Sequence, residues 1–233
     1  MHHTSRQNKT KMAERSDGMP IRLSKIDALF LPHHRYLEAG DECYYWGEYQ
    51  VHQGYSAGPT NQLISNLKIS PAHRASRRYF YKEQAIASIG HALRGPLVAG
   101  NEAPRTVVPI PPSKTRDHQE YDDRMMQIAR LMVAGTGSEA REIVQQRESY
   151  QASHTVPAAD RVTLETLLQN YEIAPDEARP HETVLILDDV LTQGKHFRAV
   201  KMKIRDRFPQ VRIMGLFVAR AVDRAVVDDF EIL

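Results

Sequence analysis

Apolar residues follow distinct rhythms along this chain. Thr106 to Ile110 and Thr183 to Leu187 are short continuous apolar runs rich in β-branched side chains, the pattern of strands buried on both faces of a parallel sheet. Ile86, Ile89 and Leu93 recur at helical spacing from about Lys82, with Gly95 and Pro96 expected to end that helix. Met125, Ile128 and Met132 share one face of a second helix, and Leu164, Leu167 and Leu168 suggest a short third. Phe197, Val200, Ile204 and Phe208 mark a fourth, closed by Pro209, before Val211 to Val218 supplies another buried strand. Strand, helix and strand in that order form a βαβ unit. Its sheet should be parallel, its crossover right-handed, and its ligands should sit beyond the carboxyl ends of the strands.

The earlier part of the chain reads differently. Tyr44, Tyr45, Trp46 and Tyr49 precede Gly54 and Gly58, which predicts a short β-hairpin whose aromatics form a small core. No internal repeat is present. The resulting division is a disordered arm or expression remnant over 1–20, a small N-terminal hood over 21–80, and a main domain over 81–233. Gly135 to Gly137 reads as a turn, and Arg147 to Asp160 is polar enough for a mobile loop.

Composition narrows the setting. The 233 residues suffice for one core with decorations, and a formal charge of +2 with both signs interspersed is mildly compatible with anionic ligands. The single cysteine, Cys43, excludes an intrachain disulfide and a cysteine-rich zinc site. No apolar run approaches the ~20 residues of a membrane helix, and the start lacks the apolar core of a signal peptide. A reducing cytoplasm with no membrane partner is the expectation. Arg6, Lys9, Lys11 and Arg15 read as a solvated tail, with nucleic-acid contact as the alternative.

The candidate chemistry lies after the strand at Thr183. Asp188 and Asp189 are adjacent acids at the end of a buried strand, a costly arrangement unless a sugar diol or a metal faces them. Thr192, Gln193, Gly194, Lys195 and His196 then form a glycine-containing turn into a helix, where free N–H groups and the helix dipole favour phosphate. Diol and phosphate sites at this separation suit a ribose 5-phosphate. The competing reading of the acids is a pair capping the following helix.

The segment Val184 to Lys195 resembles the ribose-phosphate signature of type I phosphoribosyltransferases, in which two acids and two variable positions precede threonine, threonine and glycine. Val107 to Lys114 looks like the first-strand pyrophosphate loop of the ComF-like branch, and Asn66 to Lys68 and Arg124 to Arg130 are similar to that branch more weakly. The resemblance spans about Leu63 to Val222. It implies an α/β fold with a Rossmann-like parallel-sheet phosphoribosyltransferase core, here carrying the small hairpin-containing hood. It assigns the ribose hydroxyls to Asp188 and Asp189, the 5′-phosphate to Thr192 through His196, and the pyrophosphate to Pro112, Ser113 and Lys114. Gln193 and His196 depart from the family pattern, where threonine or serine is usual; both can hydrogen-bond phosphate, and a protonated His196 would add charge. The cysteine zinc module of many ComF-like proteins is absent.

Arg116 and Arg124 stand beside Asp117, Asp122 and Asp123 and read either as ligand cations or as partners of those acids. Arg147, Gln151 and Arg161 align loosely with the family's mobile catalytic loop. His33, His34, His73, His91 and His154 lack companions at metal-ligand spacing and read as surface or core residues. The implied activity is Mg²⁺-dependent transfer of a phosphoribosyl group from phosphoribosyl pyrophosphate to a nitrogenous acceptor, the ion arriving with the substrate. Two other classes stay open: a non-catalytic sensor of that ligand or a nucleotide, and an accessory of a bacterial nucleic-acid or antiviral defence system. A homodimer, a nucleic acid or a protein partner is compatible with each.

Overall fold

The structure is a computed structural model and describes residues 22–98, 103–151 and 162–223. Its strands are β1 (Ser24–Lys25), β2 (Glu42–Gln50), β3 (Arg105–Pro109), β4 (Glu139–Ala140), β5 (Val144–Gln146), β6 (Tyr171–Ile173), β7 (Thr183–Leu191) and β8 (Arg212–Val222). The helices are α1 (Pro59–Leu67), α2 (Tyr79–Val98), α3 (Arg124–Val133), α4 (Leu164–Asn170) and α5 (Lys195–Arg207). Six strands form one sheet in the order β1, β2, β8, β7, β3, β4, and β5 pairs with β6 apart from it. Every pairing in the large sheet is parallel except the short β1 to β2 contact.

Alternation along the central strands sorts side chains into two cores, as the two-residue period of a strand requires. Val184 and Ile186 of β7 join Val108 of β3 and Phe197, Val200 and Ile204 of α5 on one face. Leu185 and Leu187 join Val107, Ile86, Ile89 and Leu93 of α2 and Met125, Ile128 and Met132 of α3 on the other. The expected α/β class with a mainly parallel sheet is therefore observed, as are the elements read from these apolar positions.

Three readings change. The aromatic segment does not turn back at Gly54 and Gly58 into a hairpin: its antiparallel contact is the short pairing with the preceding β1, while β2 runs parallel to β8 from Glu42 to Gln50, and its side chains alternate between the two cores, Cys43 and Tyr45 into one and Trp46 into the other. Gly54 and Gly58 adopt φ of 68° and 142°, and they turn the chain into α1 with no return strand among the described residues. Helix α2 continues through Gly95 and Pro96 to Val98, because Leu97 is buried in the α2 and α3 core and offsets the hydrogen bond that proline forgoes. Strand β7 runs past Leu187 to Leu191, so the two acids lie within it. Among the described residues no helix is long and apolar enough to cross a membrane.

Gly215 of β8 sits opposite Cys43 in the β2 register, beneath the edge-to-face pair Phe197 and Phe217. A Cβ there would lie 2.8 Å from Cys43 Sγ, 2.9 Å from the Phe217 ring and 3.0 Å from the Phe197 ring. Gly215→Ala should therefore destabilise the protein by about 1–3 kcal/mol through overpacking, although alanine suits a strand better than glycine. Urea denaturation checks this, and unchanged or raised stability would contradict it.

Candidate functional site

Strands β3 and β7 are hydrogen-bonded neighbours with Pro109 beside Leu187, so the loops leaving their carboxyl ends emerge side by side. Both enter one cleft of about 1180 Å³. Pro112, Ser113 and Lys114 line it from one loop, and Asp188, Asp189, Thr192, Gln193, Lys195 and His196 from the other. Gly194 is the remaining member of the expected set and serves the backbone. It precedes α5 at φ 82°, and a Cβ would meet Leu37 at 2.8 Å, so the position requires glycine on both counts.

The turn before α5 is fixed from behind by the N-terminal segment. Tyr36 N–H donates to the Gln193 carbonyl at 2.9 Å, and the buried His34 donates through Nδ1 to the Thr192 carbonyl. Burial pushes the His34 imidazole below the usual histidine range, and Nε2 has no partner among the described residues. Lys195 Nζ donates to the Val162 carbonyl at 2.5 Å and lies 5.7 Å from the Tyr36 ring centroid. These contacts use side chains and carbonyls and so leave the first-turn N–H groups of α5, which a helix does not satisfy internally, out of them.

Adjacent strand residues point oppositely, and the two acids divide accordingly. Asp189 is buried and meets Arg124 Nη2 at 2.7 Å and Lys68 Nζ at 3.4 Å. Arg124 also reaches Asp122 at 2.7 Å, and the fully buried Lys82 meets Asp122 at 2.6 Å while donating to the Ile69 carbonyl at 2.8 Å. Charge thus alternates along Lys82, Asp122, Arg124, Asp189 and Lys68. Burial alone would lift the Asp189 carboxyl, but Lys68 and Arg124 overcome it and hold Asp189 well below the usual carboxylate range. Asp188 is half-buried and has no such cation in contact among the described residues; its Oδ1 accepts the Asp189 N–H at 2.8 Å. Burial and the neighbouring Asp189 charge push it up to about 7.

His196 adds no charge to the turn, the second of the two contributions open to it. It stacks on Tyr150 with ring centroids 6.2 Å apart and contacts the Tyr171 hydroxyl through Nδ1 at 3.0 Å. Burial, then the Lys195 charge, lowers it to about 4, so near neutral pH it contributes hydrogen bonding without charge. Tyr150 also ties the loops together: its N–H donates to the Ser113 carbonyl at 2.9 Å, beside a 2.9 Å bond from Thr115 N–H to Ser149 Oγ.

Of the ambiguous cations, Arg124 is held between two acids, Arg116 pairs with Glu142, and Arg147 pairs with Glu172 at 2.6 Å. Lys114 has no ion pair among the described residues, which leaves it available to an anion. Gln151 is exposed, His73 and His91 are exposed, and Arg161 and His154 lie outside the described residues. Among the described residues, no group of three or more His, Cys, Asp or Glu is arranged to hold a metal ion. The pairing of Arg124 with Asp122 is one of the two readings the sequence offered, whereas Lys82 was not read as part of the site and Lys68 only as part of the weaker resemblance. Lys82 lies 40 residues from Asp122, and that separation gives no local signal. No family model matches this chain, and no curated protein matches it either.

The Asp188 shift fixes a sign. An unfolded aspartate titrates near ~3.9, so between about pH 4 and about pH 7 the native protein holds a proton that the unfolded chain has lost, and stability falls as pH rises through that window. Asp188→Asn should remove this loss and raise stability near neutral pH by roughly 1–3 kcal/mol. Thermal melts across the window check this; a variant that is no more stable than wild type would contradict it.

Proposed function

We propose that the cleft binds a phosphorylated ribose bearing a pyrophosphate, phosphoribosyl pyrophosphate with its Mg²⁺, and transfers the phosphoribosyl group to a nitrogenous acceptor. The observation that supports this best is the meeting of two anion-suited loops in one cleft at the ends of neighbouring parallel strands. In this reading the first turn of α5 takes the 5′-phosphate, Lys114 with the Ser113 loop takes the pyrophosphate, and Asp188 accepts hydrogen bonds from the ribose hydroxyls. Asp189 acts as a positioning residue, because its oxygens face Arg124 and Lys68.

The reaction forms a bond from acceptor nitrogen to the anomeric carbon, breaks the bond from that carbon to the pyrophosphate oxygen, and releases the acceptor's N–H proton. Positive charge grows on the ribose and negative charge on the leaving group. The Asp188 carboxylate favours the first, and Lys114 with the substrate's Mg²⁺ favours the second, so the protein's task is positioning and charge complementarity without a covalent intermediate. A second reading, ligand sensing without turnover, is favoured by one observation: His196, which stands where the family usually has threonine or serine, is held by Tyr171 and Tyr150 and supplies no charge to the turn.

Thermal titration with phosphoribosyl pyrophosphate and Mg²⁺ should stabilise the wild type, by about 2.7 kcal/mol at a hundredfold excess over Kd. Lys114→Ala should weaken the ligand roughly tenfold or more, as expected for a lost charge-assisted contact. Affinity should rise with pH through about 7 as Asp188 ionises, and Asp188→Asn should abolish that rise. No stabilisation of the wild type would refute the ligand, whereas stabilisation without pyrophosphate release for any acceptor would select the sensor.

A further inference from the structure

From Tyr49 to Lys82 the chain contains no Asp or Glu, while Lys68, Arg74, Arg77, Arg78 and Lys82 all fall within it. Arg74, Arg77 and Arg78 are exposed, and none forms an ion pair among the described residues. Beside them, at the start of α2, Phe80 and Tyr81 are each 56% exposed, their rings edge to face at 6.0 Å. Large aromatics so open to water on a helix start, next to unneutralised guanidinium groups, are costly to leave bare and match two features of one ligand class: phosphates for the arginines and unpaired base faces for the rings.

The patch is contiguous with the cleft. Arg74 Nε donates to the Tyr79 hydroxyl at 3.5 Å, the Tyr79 ring lies 5.9 Å from Lys82 Nζ, and Lys82 pairs with Asp122, which lines the cleft. We propose that the exposed basic and aromatic segment from Arg74 to Tyr81 docks single-stranded nucleic acid beside the cleft. Duplex fits less well, since paired bases present no free face to Phe80 and Tyr81; an acidic peptide or an anionic membrane satisfies the arginines without the need for base stacking. The inference stands on the patch alone and does not depend on the ribose reading.

Fluorescence anisotropy with labelled oligo-dT and oligo-rU of about 15 nucleotides tests it, since this length spans the site sizes of single-strand binders. The full-length wild type should bind at least one of them better than a duplex of equal length. Affinity should fall with salt at a log–log slope of about −2, as three phosphate contacts on a single strand would give. Arg74→Ser/Arg77→Ser/Arg78→Ser should remove that salt dependence, and Phe80→Ala/Tyr81→Ala should weaken binding roughly tenfold with the salt slope unchanged. Both variants alter exposed residues and should melt with the wild type. Preference between the two oligonucleotides assigns DNA or RNA. Absence of binding at low salt, binding indifferent to both variants, or tighter binding to duplex, poly-glutamate or phosphatidylglycerol vesicles would overturn the proposal.

Discussion

The ion pair between Asp189 and Arg124 is the constraint on which the cleft depends. Asp189 projects from a central, largely buried strand, where an unpaired carboxylate would be expelled or neutralised, and it stays ionised because Arg124 and Lys68 face it. The same guanidinium reaches Asp122, which in turn balances Lys82 inside the helical layer. One alternating chain of charges therefore fixes the start of α3 and the start of α2 against the end of β7. Cutting it at Arg124 would leave Asp189 with Lys68 and Asp122 with Lys82, and would destabilise the buried network by removing the cation the two acids share. Its consequence for chemistry is a division of labour: Asp189 is consumed by architecture, and Asp188 is left as the acid that a ligand can engage.

A second constraint operates from behind the turn before α5. The segment carrying His34, Tyr36 and Leu37 holds the carbonyls of Thr192 and Gln193 and closes against Gly194, so the N-terminal part of the chain shapes the turn before α5 directly. Ion pairs from Glu38 to Arg198 and from Asp41 to Lys201 bring this about, because they lay the early segment along α5. The Tyr150 bond to Ser113 does the corresponding work for the opposite loop.

Much of this was legible in the residues and some was not. Continuous apolar runs identified β3, β7 and β8, and helical spacing identified α2, α3 and α5, because burial on two faces leaves a pattern independent of partners. Pairing partners leave no such mark. The aromatics of β2 suggested a local hairpin, yet their alternation serves two cores and their partner, β8, lies at the far end of the described chain. In the site, Asp188 through His196 and Pro112 through Lys114 were readable as short-range motifs, and the structure brings them to one cleft. The protonation states were not readable: the neutral His196 reflects Tyr150 and Tyr171 stacked and bonded against it, and the contrast between Asp188 and Asp189 reflects cations supplied by α3 and by the residue after α1.

The most direct measurement is amide-resolved nuclear magnetic resonance with the two halves of the ligand added separately. Ribose 5-phosphate should perturb the N–H resonances from Thr192 to Phe197, and Mg²⁺ with pyrophosphate should perturb Ser113, Lys114 and Tyr150, since Pro111 and Pro112 carry no N–H to report. Perturbations from both ligands on one loop only, or confined to residues outside the cleft, would contradict a site built jointly from the ends of β3 and β7.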